Sequence, residues 1–328
     1  MISPRGYPAF AHKRVLYRGT LRSSAVAKLG IMIEGQEGLS WERWRHLCSD
    51  VEALGFASLR RSDHLVSLMG DDSRDCIDCW ASLTVAAEWT KTIEFGPMVS
   101  PLTFYRPAVL ARRAAAVDLL SGGRLIFGVG AGWNEYEHER FGVPFLTVKE
   151  RIDLLEEGVA TIKSTWSKSN PKPPRGGKVP ILMGGVGEKR HLPLVAREAS
   201  EWNYTRMDHD EYRHKREVIN ASCKEIGRDP SSLRYSVMAN YLIGRDAADL
   251  RERAMKMAEV LPRMKKDSAD DIVQAARQSA FVGTPEEVAG QIREYAKLGV
   301  DLFMLQHFLL DDRDALELLS KEVVPAVA

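Results

Sequence analysis

The feature that most constrains this chain is an alternation. Short apolar runs of strand length recur eight times, at residues 29–33 (LGIMI), 56–59, 93–100, 125–130 (LIFGVG), 179–183, 201–205, 233–243 and 300–306 (VDLFMLQ). Between and after them lie stretches with apolar residues at helical spacing: 41–54, 79–89, 107–119, 149–166, 192–199, 210–226, most of 247–278, 284–298 and 312–324. The punctuation agrees. Ser40 precedes one helix as an N-cap and Gly55 stops it; Thr284-Pro285-Glu286-Glu287 opens another with a cap, a first-turn proline and early acids.

Strands that alternate with helices build parallel sheets from βαβ units. Eight repeats fit an α/β fold closed as one (β/α)8 TIM barrel better than an open, doubly wound sheet. The reading is therefore a barrel domain over 29–328, with insertion helices where 247–280 exceeds the length one crossover needs. Residues 1–28 form an extended, basic N-terminal arm carrying Arg5, Lys13, Arg14, Arg18, Arg22 and Lys28. No apolar secretory core interrupts that arm, so a cytoplasmic setting is expected.

Charge excludes several functions. Lys plus Arg total 46 and Asp plus Glu 45, which leaves no basic excess for nucleic acid. No apolar run reaches the length of a membrane span. Cys76 and Cys79 make a lone C-x-x-C without a second pair or histidines at ligand spacing, so they are read as reduced, packed thiols and no metal is expected.

In a barrel, chemistry gathers at the C-terminal ends of the strands. The residues there are Glu34 and Gln36, Asp63 and His64, Val99 and Ser100, Gly130-Ala131-Gly132-Trp133 with Glu135, Gly184-Gly185-Val186-Gly187, and His307. His64 is the leading acid/base residue, because imidazole titrates near neutrality, with Asp63 orienting its ring; a capping Asp beside a structural His is the alternative. Glycines at 184, 185 and 187, between a strand and a helix, suit either an anion cradle or a tight turn. Gly130 and Gly132 leave backbone bare enough for a planar ring, with Trp133 as its wall or as core. Glu34, Gln36, Glu135 and His307 are candidates for substrate contact. His138, in the charged run EYEHER, is read as solvated, and Arg60-Arg61 as positive charge near the mouth.

Three blocks carry a family resemblance: 105–145 (YRPAVLARRAAAVDLLSGGRLIFGVGAGWNEYEHERFGVPF), 180–203 (PILMGGVGEKRHLPLVAREASEWN) and 283–305 (GTPEEVAGQIREYAKLGVDLFML), together with Ser62-Asp63-His64. The chain resembles the luciferase-like monooxygenases, especially their coenzyme F-420-dependent branch, from about residue 29 to 324. The resemblance implies an oxidoreductase with its cofactor lying across the barrel mouth. A non-prolyl cis peptide at Val99-Ser100 or its neighbour would back the ring. Gly184 and Gly185 would hold the cofactor phosphate, Gly130, Ala131, Gly132 and Trp133 would line the ring, and His64 would exchange a proton. Coenzyme F-420 with hydride transfer is the first expectation. An FMN-dependent monooxygenase using oxygen is the alternative, and a barrel that binds a cofactor without turnover is a third. The expected partners are a small-molecule substrate, a flavin or F-420 reductase and a second copy in a homodimer. The sequence departs from the resemblance between 167 and 178, where relatives carry a hairpin over the active site; the roof is then open or supplied by 247–280.

Overall fold

The computed structural model describes residues 27–328 apart from Gly70, Asp72, Ser169, Pro171 and Met207; the expected arm therefore lies, up to residue 26, outside the described residues. Ten strands form one sheet: β1 (Lys28–Ile33), β2 (Ser58–Arg61), β3 (Glu94–Pro97), β4 (Ser100–Pro101), β5 (Phe127–Gly130), β6 (Ile181–Met183), β7 (Glu201–Thr205), β8 (Arg234–Ile243), β9 (Ala280–Gly283) and β10 (Leu302–Gln306). Their order is β3-β2-β1-β10-β8-β7-β6-β5-β4, with every pairing parallel.

Strands β3 and β4 are two halves of one stave, separated by a bulge whose Met98–Val99 peptide is cis. The first half pairs with β2 and the second with β5. The Ile126 N–H also bonds the Phe95 carbonyl at 2.8 Å across the seam. The sheet thus closes as the expected eight-stave barrel. β9 stands outside it, paired with the outer end of β8.

The helices are α1 (Trp41–Ala53), α2 (Cys79–Trp89), α3 (Pro107–Leu120), α4 (Glu135–Arg140), α5 (Val148–Lys168), α6 (His191–Glu198), α7 (His209–Glu225), α8 (Ala247–Val260), α9 (Ala269–Ala276), α10 (Pro285–Lys297), α11 (Arg313–Leu318) and α12 (Val324–Val327). Sequence dictates their ends. Ser40 caps α1 by accepting from the Arg43 N–H, and Thr284 with Glu287 forms a full capping box on α10, worth about 1 kcal/mol. In the long helical region, Pro262 has no N–H to continue α8, so the chain turns through 262–264, and Ser268 recaps α9. The four-residue strand β9 that follows was not foreseen.

Three apolar clusters hold these layers together. The largest lies between strands and helices. A second fills the barrel, with Met32, Met98, Ile126, Leu182, Leu302 and Met304. A third sits under α8, α9 and β9.

One expectation is corrected. Arg60 and Arg61 do not charge the mouth, since both are wholly buried. Side chains alternate along a strand, so Arg60 points into the barrel and bonds Glu201 through both terminal nitrogens at 2.9 Å, whereas Arg61 points outward to Ser82 and the Ile77 carbonyl. The described residues of the segment after α5 join that helix to the start of β6 at the far end of the barrel, where Arg175 bonds Asp118.

A charged floor closes that far end. Glu201, at the start of β7, accepts from Arg60, Arg234 and Ser236, and Arg234 also reaches Glu94. Burial works against the Glu201 charge, but the two guanidinium groups outweigh it and hold the carboxyl down at about 2.

Candidate active site

A cavity of about 950 Å³ opens at the C-terminal ends of the strands. That is at the upper end of the range for small-molecule sites. Another of about 780 Å³ lies below the floor, around Lys28, Glu94 and Arg234, at the end of the barrel where catalytic groups are not expected.

The cavity is assembled from the ends of several staves. β1 brings Glu34, β2 Ser62 and His64, the bulge Met98 and Val99, β5 the run 130–133, and β6 the run 184–191. Val99 packs so closely on β5 that a Cβ at Gly130 would lie 2.6 Å from its methyl group, and one at Gly132 would lie 2.6 Å from the Thr103 hydroxyl. Glycine at 130 lets the bulge seat, and glycine at 132 suits both the contact with Thr103 and a backbone φ of +75°.

His64 is the best-placed acid/base group. Its Nδ1 bonds Glu137 Oε2 at 3.0 Å, and its side chain is 16% exposed against 1% for Glu137. The other carboxylate oxygen accepts the Leu65 N–H, so Glu137 grips ring and backbone together. Burial alone would disfavour the imidazolium. The Glu137 bond and charge, with smaller help from Glu34 and Asp63, outweigh it and raise the His64 pKa above its ordinary value. Trp133 meets the imidazole edge-on at 5.7 Å between centroids. At 65% exposure it is a wall of the cavity and not core.

Asp63 does not orient His64. It is buried and turned away, accepting from the Ser100 hydroxyl at 2.5 Å and the Tyr105 hydroxyl at 3.0 Å, while Ser100 accepts from the Trp80 indole. Burial raises the Asp63 pKa, and its two hydroxyl donors only partly oppose this. Asp63 and Ser100 therefore brace β2 against the bulge, and of the expected pair Val99-Ser100 only Val99 faces the cavity.

The remaining candidates divide. Glu34 lines the cavity and receives the amides of Gln36 at 2.9 Å and Gln306 at 2.6 Å. Gln36 is buried behind it against Ser62. Glu135 is exposed on the first turn of α4, away from the cavity lining. His307 is buried with Tyr241, whose hydroxyl bonds Nδ1 at 2.5 Å; its desolvated ring is pushed down to about 4 and does not reach the cavity. His138, expected in solvent, is fully buried, its ring between the Asn134 carbonyl and the Thr103 hydroxyl.

The residues 184–187 fit a flat, phosphate-bearing cofactor. Gly185 sits at φ +95°, and the loop leads into α6. A Cβ on Gly184 would meet only the Asn203 carbonyl, and one on Gly187 only His191, each at the ordinary distance of 3.5 Å. There is room for a side chain at 184 and 187, though not at Gly185, where a Cβ would lie 2.9 Å from the His191 ring, yet the chain presents bare backbone at all three positions. Opposite stands the start of α5, with Val148, Lys149 and Ile152. Among the described residues no three His, Cys, Asp or Glu side chains gather as metal ligands, and no helix is long and apolar enough to cross a membrane.

Glu137 was missed by sequence reasoning. The available signal was the spacing of Asn134 and Glu137, cap and third helical residue, which pins a helix start at the mouth.

Comparison with known proteins bears on the fold and the family. An uncharacterized Mycobacterium tuberculosis protein is 30% identical over 160 residues, or 44% of this chain and 55% of that protein; the chain thus spans about half the length of that relative. The FMNH2-dependent dimethylsulfone monooxygenase of Pseudomonas putida is 24% identical over 86% of this chain and 87% of its own. The coenzyme F-420-dependent tetrahydromethanopterin reductase of Methanopyrus kandleri shares the fold, with a TM-score of 0.74 at 19% identity, covering 92% of this chain and 100% of that one. The profile of the luciferase-like monooxygenases matches residues 24–302, and the chain belongs to that family.

Proposed function

We propose that the protein is a coenzyme F-420-dependent oxidoreductase, moving a hydride to or from a small organic substrate at the barrel mouth. The observation that carries the reading is the His64–Glu137 pair on the cavity wall. A bound deazaflavin would supply two-electron hydride chemistry without oxygen activation. Such chemistry needs a proton partner, and a histidine held above its ordinary pKa suits the task near neutrality. Glu137 fixes the ring through Nδ1 and leaves Nε2 to exchange the proton. Val99 would back the cofactor ring, Trp133 would shield it, and Gly184, Gly185 and Gly187 would hold its phosphate.

The second reading is an FMN-dependent monooxygenase, favoured by the relative from Pseudomonas putida that aligns over most of the chain. The same cradle serves both. The reading includes a small-molecule substrate, a cofactor reductase, a cytoplasmic setting and a homodimer; exposed Val109, Leu119 and Leu120 on α3 support a second copy.

Titration of the purified protein with F-420 and, separately, with FMN, followed by fluorescence quenching, tests the proposal. Tight binding of F-420 alone is expected. Binding of FMN alone moves the assignment to the second reading, and binding of neither overturns the cradle.

A further inference from the structure

The main cavity does not end at Trp133. A second chamber of about 580 Å³ shares Glu34, Leu68 and Trp133 with it. Beyond lies a third of about 270 Å³, which shares Arg263 and Phe308 with the second. The three spaces adjoin across these shared walls, in a row from His64 to the region under α8 and α9.

The third chamber, like the first, is walled mostly by apolar groups. Met257, Leu261, Ile272, Ala276 and Leu242 give it an apolar wall. Strand β8 runs beneath the chambers: Met238 lines the first, and Asn240, Tyr241 and Leu242 line the third. Asn240 Oδ1 is buried there with no partner among the described residues. At the junction stands Arg263, exposed, whose guanidinium bonds no described residue, with Lys266 close by on the rim.

We propose that the third chamber is a substrate subsite, taking the apolar arm of an elongated substrate that carries an anionic group held at Arg263, while its reacting carbon lies beside His64. The inference rests on the oxidoreductase reading and narrows it to amphiphilic, acidic substrates. The insertion that sets 247–280 apart from a plain crossover is what builds the chamber. An apolar pocket selects by length: each buried methylene strengthens binding roughly fourfold until the space is full. The free guanidinium adds selection by charge.

The test uses calorimetric binding of straight-chain carboxylates from butanoate to decanoate, with decan-1-ol as the uncharged probe. For the unaltered protein, affinity is expected to rise at least tenfold along the series. Ala275→Phe and, independently, Ala276→Phe place a ring in the chamber and are expected to flatten the trend. Arg263→Gln is expected to weaken decanoate about tenfold and leave decan-1-ol unchanged. Thermal melting and the F-420 and FMN titrations are run on every variant. A flat series in the unaltered protein, or a trend that survives in folded Ala275→Phe and Ala276→Phe, overturns the subsite even if a cofactor binds. The expected trend in a protein that binds neither cofactor leaves the subsite standing and removes the oxidoreductase reading instead.

Discussion

Replacing Glu137 by Gln isolates the charge that controls His64. The amide oxygen still accepts one hydrogen bond, so the fold at Leu65 and the ring orientation are largely kept. What is lost is the charged partner at 3.0 Å. A hydrogen bond to a charged group contributes roughly 1.5–3 kcal/mol and a neutral one about 0.5–1.5 kcal/mol, so the difference is about 1–1.5 kcal/mol. At 1.36 kcal/mol per pKa unit, the His64 pKa falls by about one unit. The direction follows from the cause: the carboxylate favours the imidazolium, and its removal leaves burial, which disfavours it. The imidazole titration read by NMR, and the His64 limb of the pH–rate profile once a substrate is found, both move to lower pH. A pKa that stays put or rises in folded Glu137→Gln refutes the claim that Glu137 sets the protonation of His64.

Three further outcomes are expected. Gly184→Ala leaves thermal stability within about 0.5 kcal/mol, as for substitutions away from core features, because its Cβ meets only an ordinary contact; it weakens cofactor binding about tenfold in a fluorescence titration, and unchanged affinity would remove Gly184 from the cradle. Glu201→Gln leaves the buried Arg60 guanidinium without its charge partner and Arg234 with Glu94 alone, and costs about 3 kcal/mol in denaturant unfolding; a loss under 1 kcal/mol would mean the floor is hydrated. His307, held down at about 4, takes a proton more readily when unfolded, so its contribution is lost as pH falls from about 6.5 toward 4; between pH 7 and 5 the loss is about 2 kcal/mol. His307→Gln abolishes that part of the pH dependence, and an unchanged slope would contradict the burial argument.

The barrel was legible because periodicity and punctuation act locally: each strand and each helix announces itself within its own stretch of chain. The glycine loops and His64 were legible for the same reason, whereas the bulge after Pro97 was expected only from the family resemblance. The partners were not. Asp63 and His64 are neighbours in sequence, but successive residues on extended backbone face opposite ways, and the partner came instead from α4, 73 positions along. The run EYEHER has no apolar stripe to announce burial; Glu137 and His138 are buried because α4 folds against the mouth. Arg60 and Arg61 read as exposed because paired arginines at a strand end usually are, and only Glu201, 141 residues away, makes Arg60 tolerable inside. Each failure is of one kind, a polar group whose environment is set by distant chain.

The charged floor has a consequence for how such a protein changes over time. It ties the first residues of β3, β7 and β8 to β2 through four side chains, at the end of the barrel opposite to the loops that shape the cavity. The scaffold's integrity and the ligand-facing surface are thereby under separate control. Drift in the 247–280 insertion can retune what is recognised without loosening the staves, whereas a single change in the floor loosens them whatever the ligand. New specificities are therefore most accessible through the insertion, and a laboratory library confined to it samples recognition with the least loss of folded protein.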